Sequence, residues 1–340
     1  MVDVPRDCST ILVQSSSIVR PLIRSRISGL LPEVRHVAGL HFGWWTDDRI
    51  PLDVPAGGKA LRPALALLAC QAVGGCVEAA CPPAVAVELV HNASLLHDDI
   101  IDHDPLRRGR PALWSFKGLP AALLAGDALF FAAVQTLAEA PRPDKSILIL
   151  LASVQVLIEG EYLDTLVDAG TGTSEDRALA VAAAKTGELM GCACHLGALA
   201  AGAAPERARH LRNFGQRLGT AFQCADDLLG IWGDEQHTGK PVWSDLRERK
   251  VTAPVAAAMA GHTSQARALR ALYQQGGTLS EDDCRRAAKL IEETGAKEAT
   301  LRRARRHVAD ALEHLSLARP EATTASELAA LASLVTDRDR

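Results

Sequence analysis

The stretch "LLHDDIIDHDPLRRGRP", Leu95 to Pro111, crowds Asp98, Asp99, Asp102 and Asp104 together and follows them with Arg107, Arg108 and Arg110. The pattern around it predicts a helix that begins near Pro83, a favoured first-turn residue, and runs to about His103, because Pro105 disfavours helical backbone at Asp104. At about 100° per residue, Asp98, Asp99 and Asp102 fall within one arc of about 100°, so three carboxylates share a face. Acids stabilise the start of a helix, whereas these stand in its last turns, where the dipole opposes them. An exposed acidic helix end therefore explains them less well than a site with cations. Hard divalent metals such as Mg²⁺ take carboxylate oxygens together with substrate phosphates. The arginines fit the same purpose, since the planar guanidinium donates to two phosphate oxygens at once. A charge-balanced loop with Asp104 would account for one arginine but hardly three.

A second acidic stretch, "FQCADDLLGIWGD", runs from Phe222 to Asp234. Gln223, Asp226 and Asp227 share an arc like the first. Gly230 stands where another carboxylate would extend it, and Asp234 reaches the same face only if the helix survives Gly230 and Gly233. Two such faces opposed across a cavity would hold several divalent ions and bind a diphosphate.

The rest of the chain bounds this reading. Its 340 residues are 48% apolar, enough for a substantial core, and the formal charge of −4 argues against a nucleic-acid partner. The one basic run, "RRARR" at Arg302 to Arg306, lies in a helical pattern and is expected to face water. Eight cysteines without a CxxC pair indicate free thiols in a reducing compartment. Cys192, Cys194 and His195 point to different sides of a helix and are not read as metal ligands. "MVDVPRDCST" is neither a signal nor a transit peptide, and the apolar run Ile147 to Ile158 is short for a bilayer. A cytoplasmic protein that does not span a membrane is the expectation. Ala and Leu recur throughout, strand-type alternation is scarce, and the fold class is all-α. Loops are marked by "DVPAGG", "APRPD", "AGTGTSED" and "QQGGT". Residues 1–40 form a leading segment, and 41–340 a single helical domain.

Several further motifs occur in order: "GGKALRP" at Gly57 to Pro63, "ELVHNASLLHDDIID" at Glu88 to Asp102, "LRRGRP", "GD" at Gly126, "KTG" at Lys185, "FQCADDLLGIWGD", "TGKPVWSDL" at Thr238 and "RKVTAP" at Arg249. Together they resemble the trans-isoprenyl diphosphate synthases, or polyprenyl synthetases, over nearly the whole chain beyond about Gly57. The resemblance implies a single bundle of long helices around a central cavity, acting as a homodimer. It implies Mg²⁺, three ions with substrate bound, held by Asp98, Asp102 and Asp226, with Asp99 and Asp227 supporting. The allylic diphosphate would meet Arg107, Lys185 and Lys240. Isopentenyl diphosphate would be held without metal by Gly58, Lys59, Arg62, His91 and Arg108. Thr186 and Gln223 would line the cation region, and Lys250 would help close the site. His91, seven residues before Asp98, lies two turns away on nearly the same face. His97 points off that face and is assigned packing or hydrogen bonding.

Departures from the family pattern fall at Ala60, often Arg; at Gly230, usually Asp, although a subset of short-chain synthases carries this "DDLLGIWGD" form; at Trp243, usually small; and at Arg249, usually Gly. Product length is read from Ala93 and Ser94, small where bulky residues would stop growth at farnesyl. Phe131, with Phe130, Leu157 and Ile158, is a candidate floor beyond them. Geranylgeranyl diphosphate is the expected product, with a longer prenyl diphosphate as the alternative. Two other readings use the same scaffold: a class I terpene cyclase, which would not need the second diphosphate site, and a non-catalytic subunit of a heteromeric synthase, toward which Gly230 points.

Overall fold

The computed structural model describes residues 4–52, 58, 60–141, 143–166, 174–233 and 242–336. They are almost entirely helical, as expected. Two compact units divide the chain: Met1–Val154 with Leu189–Gly215 and His314–Leu331, and Gln155–Glu188 with Gln216–Glu313 and Ala332–Arg340.

In the first unit, helix α1 (Cys8–Ser28) starts where the Asp7 carboxylate accepts a bond of 2.7 Å from the Thr10 amide. It buries Ile11, Val19, Ile23 and Ile27 at helical spacing. Helix α2 (Pro32–His41) follows. Residues 8–28 and 32–41 of the leading segment are thus helices of this unit; their signal is weak in sequence because Arg and Ser fill the outer face of α1. Helix α3 (Leu61–Gln71) is buried along most of its length.

Helix α4 (Val77–Ile101) starts six residues earlier than expected and carries Pro82 and Pro83 inside it. The prolines forgo amide hydrogen bonds in the second turn, which the burial of Val85, Val87, Leu89 and Val90 offsets. Beyond it, β1 (Leu106–Arg107) and β2 (Arg110–Pro111) pair antiparallel, and helix α5 (Leu113–Lys117) follows. Helix α6 (Leu119–Ala138) packs along α4. Gly126 permits this, because a side chain there would meet the His97 ring, with Cδ2 2.6 Å from its Cβ. His97 Nε2 lies 3.2 Å from the Leu123 carbonyl and 3.7 Å from Asp127, so the "GD" pair and His97 form one packing contact.

The Ile147–Ile158 run sits within helix α7 (Pro143–Thr165), which has 23 residues. By length and composition α6 and α7 would both reach across a bilayer, so shortness of the run is not an argument against a span. One face of α6, Ala122, Ala125, Leu129, Ala132 and Ala133, is spent on protein packing.

The second unit holds helix α8 (Glu175–Ala182), a π-helical turn at Ala183–Gly187, the start of α9 (Glu188–Ala200) and the latter half of α10 (Pro205–Trp232). There follow α11 (Ser244–Arg247), α12 (Ala253–Ala260), α13 (Ser264–Tyr273), α14 (Glu281–Glu293), most of α15 (Ala296–Leu317) and the end of α16 (Ala322–Thr336). Its core gathers Ile231, Leu246, Val255, Leu269, Leu272 and Ile291. The basic run lies on α15 with Arg302, Arg305 and Arg306 exposed, as expected, while Arg303 is drawn into an ion pair with Glu175 at 2.6 Å. All eight cysteines are free thiols.

Helix α9 meets α3 at Gly197, where an added Cβ would collide with the Ala66 carbonyl, 2.9 Å from its carbon. Backbone cannot yield as a flexible side chain can. Gly197→Ala is expected to lower the unfolding free energy by about 1–3 kcal/mol, measured by denaturant titration; an unchanged midpoint would show that the two helices separate freely.

Candidate active site

Helix α4 ends in a Schellman arrangement: the Asp104 amide donates to the Asp99 carbonyl at 3.0 Å and the His103 amide to Ile100 at 3.3 Å, with His103 left-handed at φ 56°. Past it the chain turns through Arg108 (φ 55°) and Gly109 (φ 71°), the two left-handed residues that a tight hairpin needs. The earlier reversal at left-handed His103 brings Arg107, on the first strand of that hairpin, back over the aspartates. Its Nε donates to Asp99 Oδ1 at 2.6 Å and its Nη2 to Asp98 Oδ2 at 2.9 Å, with Asp104 at 3.8 Å.

The two first-motif acids differ in setting. Asp98 is half-buried, and Asp99 is 1% exposed with Oδ2 lacking a hydrogen bond among the described residues. Burial raises Asp99 to about 6, outweighing the Arg107 charge. Burial opposes the charge on Arg107, but Asp99, Asp98 and Asp104 together hold its pKa above the ordinary value. Of the three arginines, Arg110 donates to the Leu40 carbonyl at 3.2 Å and serves to fasten the hairpin to α2. Arg108 is exposed and lies against Gly58, where an added Cβ would be 2.8 Å from Nη2.

Arg62 and His91 lie close enough to Arg108 to feel its charge. Burial lowers Arg62 to about 10 despite nearby Glu88, and its Nε is buried without a described partner. His91 is held neutral by burial and by Arg62 and Arg108, so it offers a hydrogen bond rather than a charge. Sequence reading missed the supporting residues. His41 Nε2 lies 3.1 Å from Asn92 Oδ1, and Asn92 Nδ2 donates to Glu88 Oε1 at 3.2 Å. Burial, then Arg108, lowers His41 to about 3, and burial raises Glu88. The signal for Glu88 and Asn92 was their spacing, one turn apart on α4; nothing local marks His41.

Ala93 is fully buried, while Ser94 is partly exposed with its hydroxyl donating to the His91 carbonyl at 2.8 Å. Phe131, expected as a floor, is 71% exposed on the outer side of α6, so it does not wall an interior within this chain. Phe130 turns inward instead, its ring 5.7 Å from His97.

In the second unit a hydrogen-bond chain connects the other expected residues. Thr186 Oγ1 donates to Gln223 Oε1 at 2.7 Å, Gln223 Nε2 donates to Asp227 Oδ1 at 2.8 Å, and Asp227 Oδ2 accepts from the Ala253 amide at 3.0 Å. Asp227 thus caps α12 from outside the helix. It is 6% exposed, and burial raises it to about 7 against these hydrogen bonds, with Asp245 and Asp226 adding to the rise. Asp226 beside it is exposed. Lys185, in the π-helical turn, contacts Glu161 at 2.9 Å and Asp164 at 2.7 Å, two acids the sequence reading did not name. Lys250 is half-exposed near Glu248 at 3.3 Å. The departures Trp243 and Arg249 are both left-handed, φ 64° and 58°, which explains why small residues suit those places. Lys59, Asp234 and Lys240 lie outside the described residues.

Because folding raises the Asp227 pKa from 3.8 to about 7, the metal-free protein binds the proton more tightly than the unfolded chain does. This contribution is full below pH 4 and is lost as pH rises through about 7, an effect of roughly 2–4 kcal/mol. In EDTA, Asp227→Asn should flatten the decline in stability between pH 5 and pH 8; an identical slope in the variant would show that Asp227 ionises freely.

The polyprenyl synthetase family model matches residues 50–291. A geranylgeranyl diphosphate synthase of Mycobacterium tuberculosis is 39% identical over 340 residues, covering 99% of this chain and 96% of its own. A (2E,6E)-farnesyl diphosphate synthase of the same organism is 38% identical, covering 96% of this chain and 92% of its own. The crystal structure of a polyprenyl synthetase from Streptomyces coelicolor A3(2) superposes with TM-score 0.92 at 38% identity, over 97% of this chain and 99% of that one. The chain therefore belongs to the polyprenyl synthetase family of prenyl diphosphate synthases.

Proposed function

We propose that this enzyme joins isopentenyl diphosphate to an allylic prenyl diphosphate, all-trans, and releases geranylgeranyl diphosphate or a longer homologue. The observation that carries the reading is the repeated pairing of an open with a buried aspartate, Asp98 with Asp99 and Asp226 with Asp227, each buried partner fixed by donors. The donor set suits Mg²⁺: the oxygens are hard carboxylates, and Arg107 stands over Asp98 and Asp99 as a cation would. Asp98, Asp102 and Asp226 would hold the metal, three ions with substrate present, and its charge would stabilise the departing diphosphate.

The residues of the chain do the rest. Arg107, Lys185 and Lys240 bind the allylic diphosphate, and Gly58, Lys59, Arg62, His91 and Arg108 bind isopentenyl diphosphate. Neutral His91 donates one hydrogen bond without adding to the repulsion between Arg62 and Arg108. The allylic carbon–oxygen bond breaks, the isopentenyl double bond attacks the cation, and the released diphosphate removes the proton. Thr186 and Gln223 orient polar atoms toward the cation, and Lys250 shields it from water. Retention of Arg62, His91 and Arg108 supports elongation over cyclisation of a single substrate. The exposed apolar residues Leu119, Leu123, Leu124 and Phe131 on α6 suit a homodimer contact. A cytoplasmic site of action accords with the free thiols.

Purified protein given isopentenyl diphosphate, farnesyl diphosphate and Mg²⁺ should yield geranylgeranyl diphosphate by mass spectrometry, and Asp98→Ala should lower turnover by at least about a hundredfold. A cyclic hydrocarbon formed without isopentenyl diphosphate, or inactivity relieved by a second polypeptide, would overturn the assignment.

Ser94→Phe should shift the product toward farnesyl diphosphate, whereas Ala93→Phe, at an enclosed position, should cost stability by about 1–3 kcal/mol. An unchanged chain-length distribution in Ser94→Phe would remove Ser94 from the growing chain's path.

A further inference from the structure

His41, at the end of α2, stands outside the motifs in the sequence and outside the residues matched by the family model, yet it is tied to the arginines of the second diphosphate site. The tie runs through Asn92, which is 1% exposed and donates from Nδ2 to the Glu88 carbonyl at 2.8 Å and to Glu88 Oε1 at 3.2 Å. Those two acceptors fix the amide, because only its nitrogen carries hydrogens. Asn92 Oδ1 therefore faces His41, and the His41 Nε2, 3.1 Å away, must hold the proton it donates. Burial and the charges of Arg108, Arg107 and Arg110 keep the ring neutral, so this N–H is its only donor. His41 lines a cavity of about 20 Å³ with those three arginines. Without it the buried Asn92 oxygen would lose its donor, and the amide would have to turn.

Glu88 carries the effect onward. It lines a second cavity, of about 40 Å³, together with Asn92, Arg108 and Gly58. Its charge favours the guanidinium form of both Arg62 and Arg108. Among the described residues, however, it makes no ion pair with either, and Arg62 Nε has no hydrogen-bond partner. A free carboxylate in that cavity would fold onto a guanidinium and occupy the donors that a diphosphate needs. Asn92 holds it back, while its charge stays near enough to offset the repulsion between the two arginines.

We propose that His41 is a positioning residue for isopentenyl diphosphate: by fixing Asn92 it holds the Glu88 carboxylate off Arg62 and Arg108, so that both guanidinium groups keep their donors for the diphosphate bound without metal. His41 itself touches no substrate. The inference rests on the reading of Arg62 and Arg108 as the isopentenyl diphosphate site given above.

The test is steady-state kinetics of the full chain with each substrate varied in turn, joined to calorimetric binding of isopentenyl diphosphate in EDTA. His41→Ala should raise both the KM for isopentenyl diphosphate and its Kd in EDTA about tenfold. The KM for farnesyl diphosphate and the kcat at saturation should stay within about twofold of the wild type. His41→Gln offers an amide N–H where Nε2 stands and should recover most of the loss. Wild-type KM for isopentenyl diphosphate in His41→Ala, an equal rise in both KM values, or a His41→Gln variant no better than His41→Ala would overturn the role. Should His41→Ala not fold, His41→Phe, which fills the space without a donor, takes its place; failure of both to fold would make His41 a structural residue and overturn the proposal equally. A wild type that neither binds nor turns over isopentenyl diphosphate would instead defeat the proposed function itself.

Discussion

The site depends on keeping carboxylates close together, and out of water, before any metal or substrate arrives. Isolated, such groups would protonate or push their helices apart. Each motif answers with a different counterweight. Asp99 has the Arg107 guanidinium, eight positions on, brought back by the left-handed turn at His103. Asp227 takes the Gln223 amide and the Ala253 backbone N–H. Burial is the largest cause of the rise at both, to about 7 at Asp227 and about 6 at Asp99, and the donors oppose it. The buried acids are thereby fixed by the fold, whereas Asp226 is exposed and Asp98, half-buried, accepts from Arg107 Nη2 at 2.9 Å.

A second constraint is close approach. Gly126 admits the His97 ring, Gly58 the Arg108 guanidinium, and Gly197 the α3 backbone. Each glycine exchanges side-chain packing for proximity: beside α4 and its aspartates, beside Arg108, and beside the helix that carries Arg62. The left-handed residues Ala60, Arg108, Trp243 and Arg249 are the converse case. There a side chain is retained where glycine would be easier, at a cost of the order of 1 kcal/mol each. Arg108 gains a position facing Gly58, and Arg249 gains a bond of 2.8 Å to the Tyr273 carbonyl.

Much of this was legible in the sequence because it is periodic. The helical repeat places Asp98, Asp99 and Asp102 on one arc without reference to any other residue, and the same arithmetic finds Gln223, Asp226 and Asp227. Local turn chemistry likewise marks "QQGGT", where Gly276 and Gly277 are left-handed. What was not legible depends on partners distant in the chain. The start of α4 was misplaced because two prolines look like a beginning, and only tertiary burial carries the helix past them. Phe131 looked like a floor because sequence shows that a side chain is large but not which way its helix turns. Helices α1 and α2 were left aside because their apolar stripe is narrow. His41 reaches Asn92 across 51 positions, a pairing no window of sequence contains.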